Sequence, residues 1–243
     1  MRRITSLFRD EDEAGFSNYL HMKMRTGTGR RGLPGLSLVE LLVMLGVIAV
    51  VAGILLPSVA RQHAAREKAR RIKCVGNLKN VGLAFRIFAT DNNDLFPARW
   101  MVSNGVELTS IDLLRVYGIL SNELSTPLLL HCPSDTKRDR PDSLKRFDKI
   151  TTKEISYFTS LSANENRWQI ILGGDRNLAT NGIAVGPGLF AIATNAQVGW
   201  TKELHVEQGN LVMSDGSVQQ VNSNRLKAAV ADQLIETNFL VIP

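Results

Sequence analysis

The chain has 243 residues, 44% of them hydrophobic and 21% charged, with a net charge of +6. This is the composition of a folded protein, with room for one globular domain plus an anchor but short for two independent domains. The positive charge gathers beside one apolar run, at Arg25, Arg30 and Arg31 before it and at Arg61, Arg66, Lys68, Arg70, Arg71 and Lys73 after it. Basic residues so placed meet lipid headgroups, so nucleic acid is not an expected partner.

In chain order, a polar segment with glycines precedes that run, and its terminal position predicts disorder in Met1 to Arg31. From Leu41 to Leu56 the chain reads LLVMLGVIAVVAGILL, without a charge. A helical span needs roughly 20 residues. Extending back to Leu36 supplies them but takes in Glu40. A carboxylate at a bilayer centre costs about 2.5–3.5 kcal/mol, and less near an end. Glu40 therefore either marks the membrane interface or has a partner. A secretory signal peptide cut near Ala60 is the rival reading, since Ser58-Val59-Ala60 loosely fits a cleavage site. Against it, the preceding segment is long, the apolar core exceeds the usual run of roughly 7–15 residues, and the helical pattern continues past Ala60.

The stretch Gly35-Leu36-Ser37-Leu38-Val39-Glu40 resembles the cleavage and methylation site of type IV prepilins and type II secretion pseudopilins. The resemblance implies a leader ending at Gly35, removal of that leader by a prepilin peptidase on the cytoplasmic side, and N-methylation of Leu36. Glu40 is then the fifth mature residue, and Pro57 falls where the family commonly has a helix-kinking proline. Leu36 stands where the family usually has Phe. The leader is longer than most and carries an unusual acidic cluster from Asp10 to Glu13, which makes Met22 and Met24 alternative starts. The new amine of one subunit would meet Glu40 of a neighbour, a pairing that is strong in a low-dielectric bundle. The basic cluster after the span is at least as dense as the one before it, so the positive-inside rule alone leaves orientation open. A cytoplasmic N-terminus rests on the processing motif.

Beyond Pro57, apolar residues recur at Ile72, Val75, Leu78, Val81 or Gly82, Phe85 and Phe88. These steps of three and four predict one face of a helix from about Leu36 to about Ala89. Asp91-Asn92-Asn93-Asp94 and Pro97 should end it. Asp91 and Asp94 are weak calcium candidates, because the cluster lacks the spaced ligands of a calcium loop. The segment from Arg66 to Pro97 is also similar to a pseudopilin-like group abundant in Planctomycetes and Verrucomicrobia.

The remainder reads as short elements. Ser110 to Gly118 predicts a helix with Ser110 as N-cap. Ile155 to Leu161 predicts a strand, as do Trp168 to Leu172, Ile183 to Val185 and Leu189 to Ala193 more weakly. Gly173-Gly174-Asp175 reads as a turn. Leu211 to Met213 and Val218 to Val221 flank Asp215-Gly216, a hairpin signal. His205 and Asp215-Gly216 resemble the His-x9-Asp-Gly signature of the processing-associated domain found behind such N-termini, and His131 to Asp135 (HCPSD) is similar to that group too. The favoured reading of His205 and Asp215 is a buried imidazole bonded to a turn carboxylate. A catalytic or metal pair is the alternative.

Cys74 and Cys132 are the only cysteines. Export would let them join and tie the helix to the globular part, whereas two buried free thiols are the alternative. There is no CxxC, so no zinc site is expected. HExxH, GxSxG and a Gly-rich phosphate loop are also absent, and no enzyme is expected.

The expectation is an α+β, pilin-like fold with a long N-terminal helix packed on a small antiparallel sheet. Its parts are a leader (1–35), a membrane and assembly helix (36–57), an amphipathic extension (58–97) and a periplasmic globular domain (98–243). The implied role is a structural subunit of a type II secretion pseudopilus or a pilus-like filament. The implied partners are the peptidase/methylase, other pseudopilin subunits, the inner-membrane assembly platform and membrane lipid. No cofactor is expected, apart from the weak case for calcium. The alternative is a single-pass anchored periplasmic binding protein that does not polymerise.

Overall fold

The computed structural model describes residues 35, 37–142, 144 and 146–243, without the side chains at 56–61, 63 and 64. The chain divides into two compact units, Met1–Ile54 and Leu55–Pro243. Among the described residues the fold is α+β: a long N-terminal helix, three short α-helices and two antiparallel sheets.

Helix α1 (Leu38–Asp91) is a single helical element. Its last turns carry the apolar face that the second unit buries: Cys74, Leu78, Val81, Gly82, Phe85, Phe88 and Ala89. Ile72 departs from the predicted face and is exposed. The packed stripe begins instead at Cys74, which is covalently anchored. α1 ends as the 91–94 cluster predicts. Asn93 and Asp94 take left-handed backbone (φ 56° and 59°), and the Asp94 amide donates to the Ala89 carbonyl at 2.9 Å. Such a reversal satisfies carbonyls that the helix leaves open.

Two short helices follow, α2 (Pro97–Ser103) and α3 (Leu113–Ile119). The N-cap of α3 is Asp112, whose carboxylate accepts from the Arg115 amide at 2.8 Å. The predicted cap, Ser110, instead ends a separate 3-10 turn (Leu108–Ser110).

The strands are β1 (Tyr157–Ser160), β2 (Ile171–Asp175), β3 (Leu178–Thr180), β4 (Ile183–Ala184), β5 (Gly188–Ala193), β6 (Val198–Trp200), β7 (Gln208–Met213), β8 (Val218–Asn222) and β9 (Thr237–Ile242). Helix α4 (Ser223–Ala231) lies between β8 and β9 and is capped by Asn222. The larger sheet has the order β5-β9-β1-β2-β7-β8 and the smaller one β4-β3-β6.

The four central strands of the larger sheet, β9, β1, β2 and β7, are buried on both faces, and strand alternation shows it. Tyr157, Leu172, Val212 and Val241 join the core that holds α1, α2 and α3. Their neighbours Phe158, Ile171, Leu211, Met213, Leu240 and Ile242 join a second core with Trp200 of β6 and Leu226 and Val230 of α4. Successive strand residues point to opposite faces, so each of these four strands serves both cores.

The turn expected at Gly173-Gly174-Asp175 is not a turn. These residues lie inside β2, paired with β1 and β7. A Cβ at Gly173 would sit 2.7 Å from the Phe158 carbonyl oxygen, and one at Gly174 would sit 2.6 Å from that of Asn210. Glycine is required there because neighbouring backbone comes too close for a side chain.

Candidate functional site

Two features carry chemistry, one in each unit. The first is the start of α1. Leu38–Leu55 is the one stretch among the described residues long and apolar enough to cross a membrane, with a mean hydropathy of 2.8 and none of it buried within the protein. Glu40 sits in the first helical turn and is exposed. Its amide donates to Ser37 Oγ at 3.2 Å. Ser37-Leu38-Val39-Glu40 is thus a serine-capped start with an acid at the third helical position, the S-x-x-E signature of helix N-termini. An acid in the first turn also interacts favourably with the helix dipole, by about 0.3–1 kcal/mol at exposed positions. Gly35 is exposed. Leu36 and the leader before Gly35 lie outside the described residues, as does the side chain of Pro57, whose backbone is helical.

The second feature is a buried polar centre. Cys74 of α1 and Cys132 form a disulfide with a Cα–Cα distance of 5.1 Å. Nε2 of His205 lies 3.5 Å from Cys132 Sγ and 3.4 Å from Oδ2 of Asp175 at the end of β2. Oδ2 also accepts from the backbone amide and the side-chain amide of Asn210, at 2.7 and 2.8 Å. Asp175 Oδ1 and His205 Nδ1 are buried without a hydrogen-bond partner. Burial, assisted by the nearby Arg71 guanidinium, lowers the His205 pKa to about 4, so the imidazole is neutral. Burial pushes the Asp175 carboxyl up to about 7 against the pull of the Asn210 hydrogen bonds.

An ion-paired rim adjoins this centre. Arg176 grips Asp135 with two bonds, Nε to Oδ2 at 2.7 Å and Nη2 to Oδ1 at 2.8 Å, and reaches Glu203 at 2.9 Å. Burial alone would raise the Asp135 pKa, but the Arg176 fork overrides it and holds the carboxyl below its ordinary value. The HCPSD stretch is therefore a docking loop. Cys132 bonds α1 covalently, the His131 carbonyl accepts from Asn77 Nδ2 of α1 at 2.9 Å, and Asp135 holds Arg176.

The pairing expected between His205 and Asp215 does not occur. His205 is buried beside Asp175, while the exposed Asp215 carboxylate accepts from the Ser217 amide inside its own turn, at 2.8 Å. The turn takes left-handed backbone at Gly216 (φ 81°), the usual reason for glycine at such a place. What joins the two motif residues is α1. The His205 carbonyl accepts from Arg71 Nη2 at 3.0 Å, and the Asp215 carbonyl accepts from Arg86 Nη1 at 3.1 Å.

His205, Val206 and Glu207 all have left-handed backbone (φ 52°, 54° and 58°). Asn177 Nδ2 spans this loop, 3.1 Å from the carbonyl oxygens of Thr201, Leu204 and Gln208. Asn177 and Arg86 carry no motif in the sequence, while Arg71 stands there only as one of the basic cluster and Asp175 only as a turn residue. The partners of all four come from distant parts of the chain.

Asp91 and Asp94 are exposed at the end of α1. Among the described residues, Cys74, Cys132 and His205 are the one group of three potential ligands whose ligand atoms lie within 4.8 Å of one another, and two of these atoms are the bonded sulfurs of the disulfide.

A family model described as "Protein of unknown function (DUF1559)" matches residues 63–118. The match covers the packed end of α1, all of α2 and most of α3. Neither the Gly35–Glu40 motif nor the His205–Gly216 motif lies within it. No curated protein and no solved structure matches the chain.

Proposed function

We propose that this chain is a pseudopilin-type structural subunit: processed at Gly35, held in the inner membrane by the start of α1, and assembled into a filament through that same segment. The observation that carries the reading is the apolar stretch Leu38–Leu55, none of it buried within the protein, with Glu40 in its first turn. Lipid provides no hydrophobic drive between helices. Association there rests on packing and on polar contacts whose alternative is an unsatisfied group in hydrocarbon. A carboxylate at the head of such a helix suits an amine created by cleavage one turn earlier on a neighbouring subunit. The finer parts of the reading are N-methylation of Leu36, a periplasmic C-terminal domain, and a secretion or pilus role. They rest on the resemblance at Gly35–Glu40.

The alternative, an anchored binding protein, draws on a cleft of about 450 Å³ lined by Arg70, Lys73, Asn77, His131 and Arg140 among others. Its cations suit an anionic ligand.

Co-expression with an active prepilin peptidase tests the first reading. Intact-mass measurement should find a product that begins at methylated Leu36. Glu40→Ala should still be processed but should lose filament assembly. An uncleaved chain overturns the proposal, and assembly unchanged by Glu40→Ala removes the role given to that carboxylate.

A further inference from the structure

We propose that the cleft between α1 and residues 126–133 is a binding site for a phosphate monoester, held by Lys73 from one wall and Arg140 from the other. The inference takes up the cleft of about 450 Å³ on which the alternative reading draws and gives it a ligand class. It does not depend on processing or assembly, since every lining residue lies in the second unit.

The charge balance points to a dianion. Among the described residues that line the cleft, Arg70, Lys73 and Arg140 are cations and none is acidic. Arg70 already has Glu67 at 2.8 Å, one turn back on α1. Lys73 and Arg140 make no ion pair among the described residues, so two positive charges line the cleft uncompensated. His131 adds none. Burial lowers its pKa against the Arg138 carbonyl and Asp135, and the nearby Arg140 charge adds to the lowering, so the imidazole is neutral. A concave site lined by one sign of charge draws in the opposite sign. A phosphate monoester carries about −1.5 to −2 near neutral pH, which matches two cations, whereas a carboxylate would leave one of them unpaired.

The walls are fixed before a ligand arrives. Arg70, Lys73 and Asn77 are three and four residues apart and share one stripe of the helix surface, beside the buried Cys74 and Leu78. The facing segment is tied to that stripe by the Cys74–Cys132 disulfide and by Asn77 Nδ2, which donates to the His131 carbonyl at 2.9 Å. The stretch that carries Arg140 is held in turn. The Asp139 amide donates to the Lys153 carbonyl at 2.9 Å, and Arg138 donates to the carbonyls of Thr152 and Pro243 at 3.1 and 2.6 Å. Walls ordered in advance lower the cost of binding. Guanidinium and ammonium groups are the usual partners of phosphate. Leu128, Leu129 and Pro133 supply an apolar flank for the body of the ligand, and the volume suits a small molecule.

Soluble phosphate monoesters and the headgroup of phosphatidic acid share this chemistry, so the test uses both. The full chain in dodecyl maltoside is titrated with α-glycerophosphate and with dihexanoyl phosphatidic acid, followed by calorimetry and phosphorus NMR. Saturable binding at one site per chain is expected, and the probe that binds more tightly identifies the source of the phosphate. Dimethyl phosphate, a diester with a single charge, should bind at least tenfold more weakly. Lys73→Gln and Arg140→Gln should each weaken binding of the monoester at least tenfold. Lys79→Gln removes the same charge from an exposed position on the same helix, outside the cleft, and should leave binding unchanged.

Absence of binding by both probes at millimolar concentration overturns the proposal. So does affinity unaffected by both Lys73→Gln and Arg140→Gln, or lowered equally by Lys79→Gln, or shared by dimethyl phosphate. Lys73, Lys79 and Arg140 are all exposed, so the variants should unfold at the wild-type temperature and lost binding reports the site rather than the fold. The titration reads binding alone. Its failure leaves the product mass expected at Leu36 untouched, and an uncleaved leader leaves the cleft untouched.

Discussion

Arg86 of α1 donates to the backbone carbonyl of Asp215, fixing the β7–β8 turn against the helix. The contact is possible because Gly82, one turn earlier, has no side chain. A Cβ there would lie 2.7 Å from Val212 Cγ2 and 3.3 Å from the Gly216 Cα. Gly76 lies on the same helix, but a Cβ there would meet nothing within 4 Å beyond its own helix. The two glycines should therefore respond oppositely to alanine. Gly76→Ala should stabilise the domain by about 0.5–1 kcal/mol through helix propensity. Gly82→Ala should destabilise it by about 1–2 kcal/mol, because overpacking outweighs the same propensity gain. Urea unfolding of the two variants, compared at constant m-value, distinguishes them.

The Cys74–Cys132 bond closes a loop with a sequence separation of 58. On the chain-entropy account, cross-linking a loop of that length is worth about 4 kcal/mol. The cysteines are both fully buried, so Cys74→Ala/Cys132→Ala also leaves small voids. The double variant should lose about 4 kcal/mol or slightly more in denaturant unfolding. A loss under about 1 kcal/mol would show that α1 is held mainly by its apolar face.

Much of this architecture is legible in the sequence where the pattern is local. The helix over Leu78, Val81, Phe85 and Phe88 and the hairpin at Asp215-Gly216 both follow from spacing and turn chemistry. What is not legible is set by contacts between distant segments. Gly173-Gly174 has the composition of a turn yet forms a central strand, because Phe158 and Asn210 backbone crowd it from either side. His205 was matched to Asp215 by a motif, but its imidazole faces Asp175, which looks from sequence like the end of that false turn. The cap at Ser37 was visible in Ser37-x-x-Glu40 and was overshadowed by the processing motif that occupies the same residues.

The Asp135–Arg176 pair predicts a definite pH response. Arg176 holds the Asp135 carboxyl below its ordinary pKa, so the folded state binds that proton less readily than the unfolded chain. The pair's stabilisation is complete above the ordinary aspartate pKa and is lost as pH falls through the lowered folded value. Arg176→Gln removes the fork and leaves a carboxylate whose side chain is only 1% exposed. Breaking such a buried pair costs about 3–5 kcal/mol near neutral pH. The variant should also lose this part of the acid dependence, so the stability difference between wild type and Arg176→Gln should shrink as pH falls below about 4. Thermal unfolding across that pH range measures both effects. A difference that stays constant would mean that Asp135 does not titrate through Arg176.

Val206 should be the easiest position at which to gain stability. It is a β-branched residue with φ 54°, between two other left-handed residues, and its side chain is largely exposed. Left-handed backbone costs an L-residue about 1–2 kcal/mol, and β-branched side chains tolerate it worst. The loop keeps this shape because Arg71 and Asn177 bond the flanking carbonyls of His205, Leu204 and Gln208, so the strain is imposed from outside. Asparagine accepts left-handed backbone readily. Val206→Asn should therefore raise stability by about 1 kcal/mol, with the Tm increasing accordingly and the disulfide unaffected. Val206→Ile, which keeps the β-branch, should change little. If both substitutions behaved alike, the left-handed run at His205–Glu207 would not be a source of strain.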